Sequence, residues 1–151
     1  MKANELMIGD WVAIVEPDNY HGYNAKVRIV NDETGYIMVF IEYAHLHDVL
    51  CDDLQPIPLT PEILEENGLF EHDTNRSPLC VIAEAYNVVF NDKDGKPYSW
   101  LNIQDISSLE SKRWHISIWG KCNFSISGYI GYVHELQHAL RLCGIDKEIE
   151  L

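Results

Sequence analysis

Basic side chains are scarce in this chain. Its 151 residues include 11 Lys plus Arg against 24 Asp plus Glu, a formal net charge of −13. A surface that neutralises phosphates needs the opposite sign at least locally, so direct nucleic-acid binding is not expected. No apolar run is long enough to span a bilayer, and no membrane association is expected. The opening MKANELMIGDWV lacks the apolar stretch and small-residue cleavage site of a secretory signal. Cys51, Cys80, Cys122 and Cys143 form no C-x-x-C pair, which argues against a zinc ribbon or a dithiol redox site. Reduced thiols in a cytoplasmic protein are the expectation. There is also no G-x-S-x-G, no Gly-rich phosphate cradle before a helix, and no cysteine beside a histidine in a known nucleophile pattern.

What remains is a chain that can bury a core: 46% hydrophobic and 11% aromatic, too apolar for disorder and sized for one domain or two small ones. Acidity is concentrated early, with 3 basic and 10 acidic side chains in residues 1–58. A solvated, repulsive surface accounts for this. An acidic imitation of DNA that binds a basic protein is the weaker alternative. The adjacent pairs Asp52-Asp53 and Glu65-Glu66 point in different directions, which suits solvation rather than shared acid–base work.

The first third reads as short strands. ELMIGDWVAIVE predicts a strand over Met7 to Val15, with Trp11, Ala13 and Val15 on one face and Val12 and Ile14 on the other. AKVRIV places Val27 and Ile29 inward and Lys26 and Arg28 outward. A turn at Asn31 to Gly35, a strand from Tyr36 to Tyr43 and a short strand between His47 and Leu54 follow. Tightly connected short strands of this kind predict a small SH3-like β-barrel over residues 1–57. Three prolines between Pro56 and Glu62 end it, because proline blocks both ladder and helix.

Residues 58–151 predict an α+β region. Thr60 as N-cap, Pro61 at the first helical position and Gly68 just past the end frame a helix over 61–67. Antiparallel strands are expected across 79–119, from LCVIAEAYNVVF, YSWLNI and RWHISIW, with a turn at Asp92 to Pro97. Ile130, Val133, Leu136, Leu140 and Cys143 recur at helical spacing before Gly144, which predicts a C-terminal helix over 128–143 packed on that sheet. Burying Ile130, Val133, Leu136 and Leu140 supplies about 6–12 kcal/mol gross, most of it offset by entropy. Trp11, Trp100, Trp114 and Trp119 are expected to fill cores, and any left exposed would mark a binding face.

One motif carries chemistry. His134-Glu135-Leu136-Gln137-His138 is a literal H-E-x-x-H on a predicted helix, in which residues four apart can share a zinc while the glutamate polarises its water. It resembles the motif of zinc metallopeptidases, which implies His134 and His138 as ligands and Glu135 as base. Against this, a catalytic zinc needs a third protein ligand. Only 13 residues follow His138, and their carboxylates, Asp146, Glu148 and Glu150, lie in a tail beyond Gly144. Both histidines fall on the flank of the apolar stripe, where half-solvated imidazoles pack against a sheet edge. Tyr132, Glu135, Gln137 and Arg141 read as ordinary surface-helix residues. His45 and His47, with Asp48 beside them, could share a strand face but likewise show no third ligand.

The combination ELMIGDWV, LQPIPLTPEILEENGL and YVHELQ resembles a family of short uncharacterised proteins of anaerobic gut bacteria and their phages and mobile elements. The resemblance covers about Asn4 to Val15, Leu54 to Phe70 and Tyr129 to Leu142. In that family the last segment often reads YVHQLQN, which implies that Glu135 and His138 are additions to a scaffold helix. The expectation is a small non-enzymatic binding or accessory protein of a phage or mobile element, with a protein partner and no cofactor. A zinc-dependent hydrolase is the alternative.

Overall fold

The structure, a computed structural model, describes residues 2–16, 22–31, 36–41, 44–69, 85–106, 114–119 and 125–151, with backbone alone at 3, 44, 45, 85 and 86. The chain is α+β, built, among the described residues, from antiparallel sheets and two α-helices. It divides into two compact units: Met1–Pro58 with Tyr132–His134 and Leu151, and Leu59–Gly131 with Glu135–Glu150.

The first unit holds β1 (Trp11–Ile14), β2 (Asn24–Asn31), β3 (Tyr36–Ile41), β4 (Ala44–Leu50) and β5 (Leu54–Pro56), with a 3-10 turn at Cys51–Asp53 between the last two. Their order is β4-β3-β2-β1-β5, every described pair antiparallel. Among the described residues β4 and β5 stand at the edges and do not pair, so the sheet is open rather than a closed barrel. Alternation decides the core: Val12, Ile14, Ala25, Val27, Ile37, Val39, Ile41, Val49 and Leu54 present one face and are buried with Leu6 and Cys51.

The strand expected from Met7 begins only at Trp11, because residues 7–10 form a turn. Asp10 donates its N–H to the Met7 carbonyl at 3.1 Å, and its buried carboxylate accepts from the Met7 N–H at 2.7 Å. The helical end of the unit is tied down by Val133, whose N–H donates to the Ile57 carbonyl at 2.9 Å.

Ile29 corrects the expected alternation of β2. Val27 pairs with Val39 but Ile29 with Met38, so Arg28 is an extra residue opposite none, a β-bulge that shifts every later side chain by one phase. Ile29 is consequently 51% exposed, and Val30 packs against the core instead. The expected turn at Asn31 to Gly35 and the end of the third strand at residues 42–43 lie outside the described residues apart from Asn31 itself.

The second unit begins with α1 (Pro61–Glu66). Thr60 caps it, its hydroxyl accepting from the Ile63 N–H at 3.4 Å. The helix closes as a Schellman turn, with Leu69 N–H on the Leu64 carbonyl at 2.8 Å and Gly68 N–H on Glu65 at 2.9 Å. Gly68, at φ 65°, takes the left-handed position that the motif requires.

The second sheet runs β6 (Ala85–Asn91), β7 (Pro97–Asp105), β8 (Trp114–Trp119) and β9 (Ser125–Ile130) in chain order, all antiparallel. Residues 79–84 and Arg113, also expected in strands, lie outside the described residues. Leu101, Ile103, Trp114, Ile116, Ile118 and Ile130 are its buried set.

The C-terminal helix differs from expectation at its start. α2 spans Val133–Leu142, and residues 128–130 belong instead to β9, hydrogen-bonded to β8. Its far end is a second Schellman turn, Ile145 N–H to the Leu140 carbonyl at 3.0 Å and Gly144, at φ 69°, to Arg141 at 3.0 Å. The following tail is anchored by Asn67, the C-cap of α1. Its amide donates to the carbonyls of Ile63 and Glu150, each at 2.9 Å, and accepts from the Glu150 N–H at 2.8 Å.

Candidate functional site

His134, Glu135 and His138 all lie in the first two turns of α2. Glu135 is half-buried, and its Oε2 accepts a 2.7 Å hydrogen bond from the Gly131 N–H. Gly131 precedes the helix by two residues, so this carboxylate reaches back over the helix start. It satisfies a backbone donor there and complements the positive end of the dipole. His134 is 7% exposed, not half-solvated as its position on the flank suggested. Its ring stacks on that of Tyr132, centroids 5.9 Å apart and planes at 13°, so a residue just before the helix covers the imidazole. His138 is half-buried. Gln137, read from the sequence as a surface residue, is buried as well.

A catalytic zinc requires three protein ligands. Among the described residues, no three His, Cys, Asp or Glu side chains come together so as to hold a metal ion. The tail carboxylates of Asp146, Glu148 and Glu150 are on exposed residues. His47 is half-buried on β4 opposite Val39, while the side chain of His45 lies outside the described residues, as do His21 and His72. Cys51 and Cys143 are buried and not in a disulfide, and Cys80 and Cys122 lie outside the described residues. Burial pushes the Cys143 thiol above its usual range, partly offset by a hydrogen bond with the Ile126 backbone.

The tryptophans separate by face rather than all filling cores. Trp114 is buried and donates its indole N–H to the Leu59 carbonyl at 2.9 Å, whereas Trp100 and Trp119 are 46% and 49% exposed. They are cross-strand partners on β7 and β8.

The outer face of the first sheet is apolar too. Phe40 lies opposite Leu46, and Tyr36 opposite Leu50, all exposed. Arg28, Ile29, Met38, Phe40 and Leu46 line a hollow of about 540 Å³. The Arg28 guanidinium sits 5.4 Å from the centre of the Phe40 ring, and the Lys26 ammonium 5.6 Å from that of Trp11. Two of the three basic residues in 1–58 are thus on this one face. Asp48, opposite Met38, is its acidic member among the described residues.

The sequence reading missed both faces, although strict alternation marks one of them. Trp100, Asn102 and Gln104 alternate with Leu101 and Ile103, and His115, Ser117 and Trp119 with Trp114, Ile116 and Ile118. The Leu/Ile set identifies the buried side. On the first sheet the bulge hides the pattern.

Comparison with protein-family models, with curated proteins and with solved structures finds no match. No helix is long and apolar enough to cross a membrane among the described residues.

Proposed function

We propose that this chain is a small non-enzymatic binding protein whose N-terminal unit is an SH3-like module, and that the outer face of the first sheet docks a protein segment. The observation that carries this is the hollow lined by Arg28, Ile29, Met38, Phe40 and Leu46. Exposed apolar and aromatic side chains gathered around a concavity are costly to leave in water and characteristic of contact surfaces. Strand order β5-β1-β2-β3-β4, with a 3-10 turn joining β4 to β5, supports the SH3-like reading. Lys26 and Arg28 give the face a positive sign within an otherwise acidic segment, so the complementary partner is a segment combining apolar side chains with carboxylates.

Glu135 weighs against the zinc-dependent hydrolase. An oxygen already held by the Gly131 N–H gives this residue type and position a structural reason that needs no metal. The resemblance to proteins of phages and mobile elements adds a genetic context to the binding reading and leaves the partner open.

Two synthetic peptide pools with the same apolar residues, one carrying Asp and Glu and the other Lys and Arg, test the proposal by fluorescence polarisation. The acidic pool is expected to bind, more weakly as salt rises and more weakly to Arg28→Glu or Phe40→Ser. Equal binding of both pools, no binding of either, or binding indifferent to both substitutions would overturn it.

A further inference from the structure

The second sheet presents a different kind of surface, and it is a candidate site independent of the first. On its outer face three rows cross the strands in register. One contains Val89, Trp100, Trp119 and Ser125, the next Asn87, Asn102, Ser117 and Ser127, and the third Gln104, His115 and Tyr129. Aromatic rings thus stand at both ends of a polar band. Trp100 and Trp119 are neighbours at one end, and Tyr129, 66% exposed, stands at the other. With a rise of about 3.4 Å per residue, the outer rows, four residues apart, are separated by about 14 Å.

The polar band is held in place by its own hydrogen bonds. The Asn102 amide donates to Asn87 Oδ1 at 2.7 Å, His115 Nε2 and Ser127 Oγ are 3.0 Å apart, and the Ser117 hydroxyl donates to Ser127 at 3.5 Å. The His115 ring meets that of Tyr129 edge-on, centroids 5.4 Å apart. Side chains already ordered lose little entropy on binding. An amide or hydroxyl has more donor and acceptor capacity than one such bond uses.

The three rows contain no charged side chain among the described residues, on a chain of net charge −13. The charged residues Asp92, Lys93, Asp94 and Lys96 belong to the β6–β7 turn, beyond the strand ends. A nucleic-acid strand would bring phosphates to rows that hold no cation among the described residues. A protein hot spot would place its aromatics together at the centre rather than on either side of a polar band.

From this face we infer a binding site for a neutral saccharide chain. A pyranose ring offers an apolar C–H face that stacks on an indole or phenol, and a rim of hydroxyls that both donate and accept. The Trp pair and Tyr129 supply the stacking surfaces. Asn87, Asn102, Ser117 and His115 supply partners for the hydroxyls between them.

Affinity electrophoresis of the full chain in gels containing xylan, mannan, hydroxyethylcellulose or soluble starch tests the inference, with oligothymidylate binding as the control for stacking without sugar. Retardation is expected in at least one neutral polysaccharide, weakened at least about tenfold in Trp100→Ala and in Trp119→Ala, with unfolding midpoints near that of the wild type because both rings are half exposed. Asn102→Ala should weaken it further in combination. No retardation in any of the four gels, retardation unchanged in both tryptophan variants, or tighter binding of oligothymidylate would overturn it. Should a tryptophan variant unfold, Tyr129→Ala, at the more exposed ring, must show the same loss of retardation, and its absence there overturns the inference.

Discussion

Replacing Glu135 by alanine removes the acceptor for the Gly131 N–H and a negative charge from the first turn of α2. A hydrogen bond between a charged group and a backbone amide contributes about 1.5–3 kcal/mol, and the interaction with the helix dipole about 0.3–1 kcal/mol. Because Glu135 is only half-buried, water replaces part of what is lost, and the net cost of Glu135→Ala should be about 1–2 kcal/mol. Glu135→Gln keeps an oxygen at the same position and gives up only the charge, so it should cost about 0.5–1 kcal/mol. Urea unfolding followed by tryptophan fluorescence measures both. A Glu135→Ala variant within about 0.3 kcal/mol of the wild type, or a glutamine variant as damaged as the alanine one, would refute the capping role.

Other consequences of the fold are equally direct. Asn67→Ala removes three hydrogen bonds, two of them to Glu150. It should cost about 1.5–4 kcal/mol and speed hydrogen exchange at the Glu150 amide, and an unchanged exchange rate would count against the anchor. The bulge at Arg28 predicts that Ile29→Ala changes stability by less than about 1 kcal/mol. Ile37→Ala, at a fully buried position of the same sheet, should cost about 2–5 kcal/mol, and comparable losses in the two would place Ile29 inside. The raised Cys143 pKa means that the folded state holds the thiol proton more tightly than the unfolded one. Its stabilising contribution is therefore complete below the ordinary thiol value of about 9.0 and is lost as pH rises toward the folded value. The wild type should accordingly lose more stability than Cys143→Ala between pH 8 and 10, a difference that urea midpoints reveal.

Local signals were the legible ones. Thr60, Pro61 and Gly68 frame α1 because each acts on backbone groups within its own turn, and Gly144 marks the end of α2 for the same reason. β9 was not legible as a strand: Ile130 and Val133 continue the helical spacing of α2, while what makes SISGYI a strand is its pairing with β8, which periodicity along the segment alone does not reveal. Ile29 was misplaced because a bulge depends on the partner strand, which alternation along β2 alone does not reveal. At the HELQH segment the sequence carried the residue types and the helix but not the engagement of Glu135 or the stacking of His134 on Tyr132. Both arise where the chain enters α2, a start that the helical period had placed five residues too early.

The most direct measurement is the zinc content of protein purified without a histidine tag, before and after equilibration with the metal, for the wild type and His138→Ala. Glu135 as a helix cap and His134 as a buried, stacked ring predict no stoichiometric zinc in either protein. One zinc per chain in the wild type, lost in His138→Ala, would make the helix a metal site and contradict the account.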